Sequence, residues 1–246
     1  MRAGSSSGGD LHSRVVEDIG QRIINGELAV GDTIFAEQVC ERLNISRPVV
    51  REGLRTLSSL GLIQSRPQRG TRVLPRSNWD FLSPYIIRWR GQSPDRLTQM
   101  RELLELRLGI EHAAAYFAAT RRTDAAAAAM KDAAARMKTA LDAHDTFAYF
   151  RADQEVHRLM LEGSENAVLA QFAETVTALL RIRGETNPLV YSPQGLARAS
   201  LHRHIALADA LDARDPERAA ELAREIIIET LKEVDAVTPP PASPPV

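Results

Sequence analysis

The chain has a single cysteine, Cys40, among its 246 residues. No disulfide can close within it, and a lone reduced thiol fits a cytoplasmic setting. It also lacks any apolar run of about 18 residues, the length a membrane-spanning helix needs. Met1 to Asp10 is Gly/Ser-rich without an apolar core, so no signal peptide is expected there. Charge of one sign is not in excess: 31 Lys and Arg stand against 32 Asp and Glu, a net charge of −1. Neither His-Glu-x-x-His nor Glu-x-x-His occurs, and no nucleophile motif is present, which argues against a hydrolytic centre.

What is present is enough for two domains. A content of 44% hydrophobic and 26% charged residues is that of a globular chain. The balanced total hides a strong local bias. From Arg42 to Arg76 eight arginines face one acid, Glu52, giving that segment a net +7 and an electrostatic footprint suited to phosphate. Within it, Ser46 to Gly61 reads as a helix. Val50, Leu54, Leu57 and Leu60 recur at helical spacing on one side, and Arg47, Arg51 and Arg55 recur every fourth residue on the other. Such arginines can fork onto guanine edges or phosphates in a major groove. A surface helix with a solvated basic face has the same pattern.

The neighbouring sequence bears on that choice. Leu11, Val15, Ile19 and Ile23 keep a four-residue spacing that ends at Asn25-Gly26. A short extended piece, 33–35, precedes a second helix over 36–43 that closes at Asn44. Ser46 is a natural N-cap for the next helix, with Pro48 in its first turn. This is a helix-turn-helix pattern. Two short β-prone runs, Leu62–Ser65 and Thr71–Leu74, flank a basic turn and read as a hairpin. Its tip residues Gln68, Arg69 and Gly70 can approach a nucleic-acid backbone or minor groove. A hairpin placed directly after a basic helix favours DNA binding.

The ordered run from Glu37 to Leu54, followed by Leu57, Gly61, Leu62 and Gly70, resembles the winged helix of the GntR family of bacterial transcription regulators over about residues 11–75. The resemblance implies that Arg47 and Arg51 contact bases or phosphates, that Ser46 and Pro48 line the same surface, and that the turn around Arg69-Gly70 enters the minor groove. Arg55 continues the stripe.

Beyond this, Ser77–Gly91 is aromatic-rich and expected to be a linker helix. Helices are expected at 95–119, 124–143, 146–162, 165–186, 194–213 and 216–234, bounded by Thr123-Asp124, Asp145, Gly163-Ser164, Asn187-Pro188, Ser192-Pro193 and Asp215-Pro216. Asp153 and His157 are four apart in one of these helices, so their side chains share a face. His204 lies on a later helix that can face them. One carboxylate and two imidazoles suit a divalent metal such as zinc. A surface ion pair and an unrelated surface histidine fit the same spacing.

The segment from about 95 to 233 resembles the effector-binding FCD domain of the FadR-like branch of the family, through Arg107 with Glu111, Asp153 with His157, Gly163–Asn166 and His204–Asp215. In that domain an aspartate and three histidines hold a metal ion, and an effector carboxylate often completes its coordination. The resemblance puts Asp153, His157 and His204 at three of those positions. Ile226, which cannot ligate, stands at the fourth. The pattern is most similar to members answering to sugar acids such as galactonate. Arg107 is the first candidate to clamp an effector carboxylate, since a guanidinium matches it with two parallel hydrogen bonds. A buried ion pair with Glu111 or Glu105 is its other reading. Arg181 and Arg183 either face the cavity or are solvated.

These readings converge on a mainly α protein: a tail at 1–9, a winged helix-turn-helix at 10–76, a linker helix at 77–93, an all-α effector and dimerisation domain at 94–234, and a proline-rich tail at 235–246. The expected function is that of a cytoplasmic, homodimeric regulator, more a repressor than an activator. It would bind a pseudo-palindromic double-stranded operator and respond to a small carboxylate. Metal-free sensing of an acyl-CoA or amino acid is the alternative, and a metal-dependent hydrolase with an accessory DNA domain is a remote one.

Overall fold

A computed structural model describes residues 7–66, 70–186 and 196–237. They fall into two compact units that divide between Pro94 and Asp95. The expected tails lie largely outside the described residues. Where they are described they are helical, because α1 (Ser7–Ile24) begins before Asp10 and the last helix runs on to Val237. The boundary pairs Asn187-Pro188 and Ser192-Pro193 also fall outside.

In the first unit, α1 is followed by β1 (Thr33–Ile34), α2 (Ala36–Leu43) and α3 (Arg47–Ser59). The hairpin strands β2 (Ile63–Arg66) and β3 (Gly70–Val73) come next, then a 3-10 turn, Arg76–Asn78, and α4 (Pro84–Gly91). The core takes Val15, Val16, Ile19 and Ile23 from α1, and Val50, Leu54 and Leu57 from α3. Each such side chain contributes roughly 1.5–3 kcal/mol by leaving water. Gly53 allows the two helices to touch: a Cβ there would stand 2.5 Å from Val15 Cγ1. Asn44 closes α2 in the left-handed region at φ 54°, which redirects the chain into α3.

The three strands form an antiparallel sheet in the order β1-β3-β2, with Ser65 opposite Thr71 and Thr33 opposite Arg72. Gly70 opens β3 at φ +78°, and a Cβ there would meet Thr33 Cγ2 at 2.6 Å, so only glycine suits the position. The segment read as a linker contributes side chains to the core of this unit. Ile86 and Trp89 of α4 join its core, and the Trp89 indole N–H donates to Glu17 on α1 at 2.7 Å. An apolar α4 face packed on α1 holds it there.

The second unit is all helical: α5 (Arg96–Arg121), α6 (Asp124–Asp142), α7 (Thr146–Gly163), α8 (Ala167–Ala170), α9 (Ala173–Thr186), α10 (Leu196–Asp212) and α11 (Pro216–Val237). The caps are those expected at Thr123 and Asp145, whose side chains accept from Ala126 N and Ala148 N at 3.1 and 2.9 Å. The single helix expected over 165–186 is instead two. Asn166 caps α8, and the Phe172 N–H turns back onto Leu169 O at 3.1 Å, ending it. No glycine or proline marks that break, so periodicity alone runs through it. α7 packs against α5, α6 and α9, while α11 lies along α5 and α10. The most enclosed face of α7 carries Tyr149, Asp153, Val156, His157 and Met160.

Candidate functional site

The first site is the outer face of α3. Arg47, Arg51 and Arg55 are all exposed, opposite the buried Val50, Leu54 and Leu57. Arg47 stands 3.5 Å from Glu37, and Arg55 donates to Glu52 at 2.6 Å. Arg51 makes no ion pair among the described residues. The three arginines form a ridge between two open grooves of about 710 Å³ each. One groove includes His12 and Pro48, the other Ser65 and Thr71. Ser46 sits at the N-cap position, but its side chain makes no capping bond. Its hydroxyl and the first-turn N–H groups of α3 therefore remain open to an anion. Gly70 is at the start of β3, beside this face, whereas Gln68 and Arg69 lie outside the described residues.

One contributor to this face had no signal in sequence spacing. His12, from α1, bonds through Nε2 to Thr56 Oγ1 at 3.0 Å, while Thr56 donates to Glu52 O at 3.3 Å. The separation of 44 positions along the chain hides that contact from any local pattern.

The second site lies inside the helical unit. Asp153, His157 and His204 are 3%, 1% and 1% exposed, so neither a surface ion pair nor a surface histidine describes them. His204 Nε2 lies 3.0 Å from Asp153 Oδ1 and 3.5 Å from His157 Nε2, and His157 Nε2 lies 3.7 Å from Asp153 Oδ1. A point equidistant from those three atoms is about 2 Å from each, the length of a zinc–nitrogen or zinc–oxygen bond. The other Asp153 oxygen, Oδ2, is buried without a hydrogen-bond partner. A carboxylate oxygen left so is costly unless something binds it.

The outer partners suit the same chemistry. His157 Nδ1 is 2.6 Å from Glu111 Oε2 and His204 Nδ1 is 2.7 Å from Ser200 O. Each ring thus sets Nδ1 against an acceptor and faces Nε2 toward Asp153, the arrangement that orients metal-bound imidazoles. Burial lowers the His157 pKa, against the pull of Glu111, so the ring favours the neutral form that can ligate. Glu111 is itself held by Arg107, at 2.5 Å from Nε and 3.3 Å from Nη2. Burial would raise its pKa, but the charge of Arg107, then His157, outweighs this and holds it at about 2. Asp153 likewise resists its own burial, through the hydrogen bond and charge of His204, and stays below the usual carboxylate range.

Arg107 is 2% exposed and its Nη2 also approaches His157 Nε2, at 3.0 Å. With Nδ1 donating to Glu111, that contact uses the lone pair a metal ion would take. The guanidinium and a cation are therefore alternatives at one nitrogen. Arg183 is close by and half-buried, donating from Nη2 to Glu233 at 2.7 Å. It shares with Tyr149, Asp153, Ser200 and Glu233 a small cavity of about 20 Å³, room for about one water. Arg181 is exposed and absent from the residues lining that cavity; two positions along a helix turn it about 200° away from Arg183. Ile226 is buried and apolar on α11, adding no ligand. Glu111, read from sequence only as the partner of Arg107, proves to orient His157 as well. Its position four residues after Arg107 carried half of that signal.

Residues 102–229 match the FCD domain model and residues 11–73 the model for bacterial regulatory proteins of the gntR family. The chain is 28% identical over 229 residues to the galactonate operon transcriptional repressor of Escherichia coli (strain K12), covering 92% of this chain and 97% of that protein. It is 28% identical to the Glc operon transcriptional activator of the same strain, covering 86% and 84%. It is 29% identical to the transcriptional repressor NanR of Cronobacter sakazakii, covering 85% and 79%. Among solved structures, a Listeria monocytogenes protein titled as controlling the expression of the agr system aligns with a TM-score of 0.64 at 15% identity, covering 96% of this chain and 100% of the other. Streptococcus agalactiae GntR aligns at 0.51 and 20%, covering 90% and 99%. At these identities the structural likenesses show the fold alone.

Proposed function

Because the chain belongs to the gntR family of bacterial regulatory proteins, with an FCD domain as its second unit, we propose that it represses transcription as a homodimer on a pseudo-palindromic operator and is released by a small hydroxy or sugar acid. That it is a transcription regulator of this type, and not an enzyme, follows from the family and its relatives. No described helix is long and apolar enough to cross a membrane. We place the protein in the cytoplasm, with its DNA.

Two copies of α3 would enter successive major grooves, with half-site spacing set by the dimer. In each, Arg47, Arg51 and Arg55 reach base edges or phosphates. Ser46 and the adjoining N–H groups take a phosphate, Pro48 packs against the sugar-phosphate backbone, and the turn around Gln68, Arg69 and Gly70 approaches the minor groove. The sign of regulation follows the galactonate operon repressor and NanR, which are named as repressors.

Asp153, His157 and His204 would hold a divalent ion such as zinc. The observation that carries this is the convergence of their three ligand atoms with both Nδ1 positions already satisfied. When bound, the ion supplies positive charge and open coordination positions for a carboxylate and an adjacent hydroxyl. Arg107, displaced from His157 Nε2, and Arg183 then face the carboxylate with forked donors. Effector binding must favour the state with unsuitable DNA-unit spacing, or it would shift nothing.

The test is metal analysis of purified protein, followed by operator binding in fluorescence anisotropy. The DNA upstream of the protein's own gene is titrated with galactonate and other hydroxy acids, with and without the ion. Release by one acid only when metal is present supports the reading. Equal release after chelation removes the metal from it, and no release by any carboxylate removes the effector class.

A further inference from the structure

Glu233 sits in the last turns of α11 with its carboxylate on Arg183, at 2.7 Å from Nη2, and each side chain is only 14% exposed. Both line the small cavity that also touches Asp153. A surface ion pair has no reason to be enclosed like this, and the enclosure leaves Arg183 Nε buried without a hydrogen-bond partner. Arg183 therefore offers more donors than Glu233 uses, in a cavity of about 20 Å³ that is too small for any organic acid. An acid entering beside Asp153 must displace something, and among the described residues the only carboxylate besides Asp153 lining the cavity is Glu233.

We propose that Glu233 is a built-in carboxylate that occupies the effector's seat on Arg183, so that effector binding is an exchange of one carboxylate for another. This rests on the reading of the helical unit as the sensor of a small acid. The ligand class follows from the exchange: an anion with a planar, forked head that matches the guanidinium, small enough to replace one glutamate carboxylate.

The exchange has a mechanical consequence within the helical unit. Two residues past Glu233, Asp235 accepts from Arg101 Nη2 at 2.7 Å and from Nε at 3.0 Å, tying the end of α11 to the second turn of α5. α5 begins at Arg96, directly after the division between the two units. Releasing Glu233 removes a buried polar anchor of this end and leaves Val234 in the core and the exposed Asp235 pair to hold it. An exposed pair of that kind is weak. Glu229 and Lys232 nearby pair on the outer surface and offer no replacement.

The experiment compares full-length wild type, Glu233→Gln, and Glu233→Gln/Arg183→Gln, all freed of metal so that a metal seat cannot take the probe. Acetate binding is followed by ligand-observed NMR, with folding checked by circular dichroism. Glu233→Gln is expected to bind acetate at least about tenfold more tightly than wild type, and the double variant to lose that gain. Equal acetate affinity in folded wild type and Glu233→Gln overturns the proposal. If Glu233→Gln does not fold, amide hydrogen exchange of the wild type decides. Saturating acetate is expected to speed exchange over residues 230–237, and unchanged rates overturn the proposal. Metal content is measured separately, so its absence would sink the metal-site reading while leaving the carboxylate exchange to stand or fall on acetate.

Discussion

Replacing Arg107 by methionine keeps much of the side-chain volume but leaves Glu111 ionised, wholly enclosed, and supported only by His157. Glu111 is 0% exposed and its carboxyl is held at about 2 against an ordinary 4.5, chiefly by the Arg107 charge once burial is overcome. A depression of that size is worth about 3 kcal/mol of stability at neutral pH, at about 1.4 kcal/mol per unit. Because the folded pKa lies below the unfolded one, this stability is fully present above about pH 4.5 and is lost as the pH falls through about 2. Arg107→Met should therefore cost about 3–5 kcal/mol at pH 7, the usual penalty for stranding one member of a buried pair. Near pH 3 the cost should be smaller, since the stranded carboxyl, no longer depressed, takes up a proton. Arg107→Met/Glu111→Gln should recover a large part of the loss, because the double change removes the buried charge together with its partner. Urea unfolding followed by far-ultraviolet circular dichroism measures all three, on the transition belonging to the helical unit. A loss under about 1 kcal/mol for Arg107→Met would refute the reasoning, and so would a double variant no more stable than the single one.

Asp153→Asn and His157→Ala should each cut the divalent metal retained by the purified protein, read by elemental analysis, by at least the roughly tenfold that losing a ligand's outer hydrogen-bond partner costs. Unchanged content would dismiss the three-ligand site. Arg51→Ala should weaken operator binding by about 1–3 kcal/mol per half-site and flatten its salt dependence, both measurable by anisotropy across a salt series. An unaltered salt slope would assign Arg51 to bases instead of phosphates, and unaltered affinity would remove it from the interface. Ser46→Ala should cost less than about 0.5 kcal/mol of thermal stability, below the ~1 kcal/mol usual for a capping serine, because its hydroxyl caps nothing. A full capping loss would show that it does. Gly53→Ala should destabilise the N-terminal unit by about 1–3 kcal/mol, since its Cβ would meet Val15 at 2.5 Å. A melting temperature equal to wild type would mean that α1 and α3 separate without cost.

The amino-acid sequence by itself determined the local parts. The arginine stripe of α3 and its buried Val50, Leu54 and Leu57 share one period. The caps at Thr123 and Asp145 act within a few residues, and Asp153 and His157 meet because helical geometry places i and i+4 on one face. The order of elements from α1 to β3 was legible for the same reason. Burial of the Asp153 and His157 face was recoverable from the stripe they share with Tyr149, Val156 and Met160, but only if the polar residues are read as part of it. Helix packing alone decided the rest. His204 comes from 47 residues beyond His157, and Arg183 reaches Glu233 across 50. Glu111 orients His157 only because α5 and α7 lie side by side. α4 joined the N-terminal core through Trp89, and 165–186 broke in two where no residue type marks a break. These outcomes turn on which faces meet and what they exclude from water, and a one-dimensional period says which face is apolar without saying what it will touch.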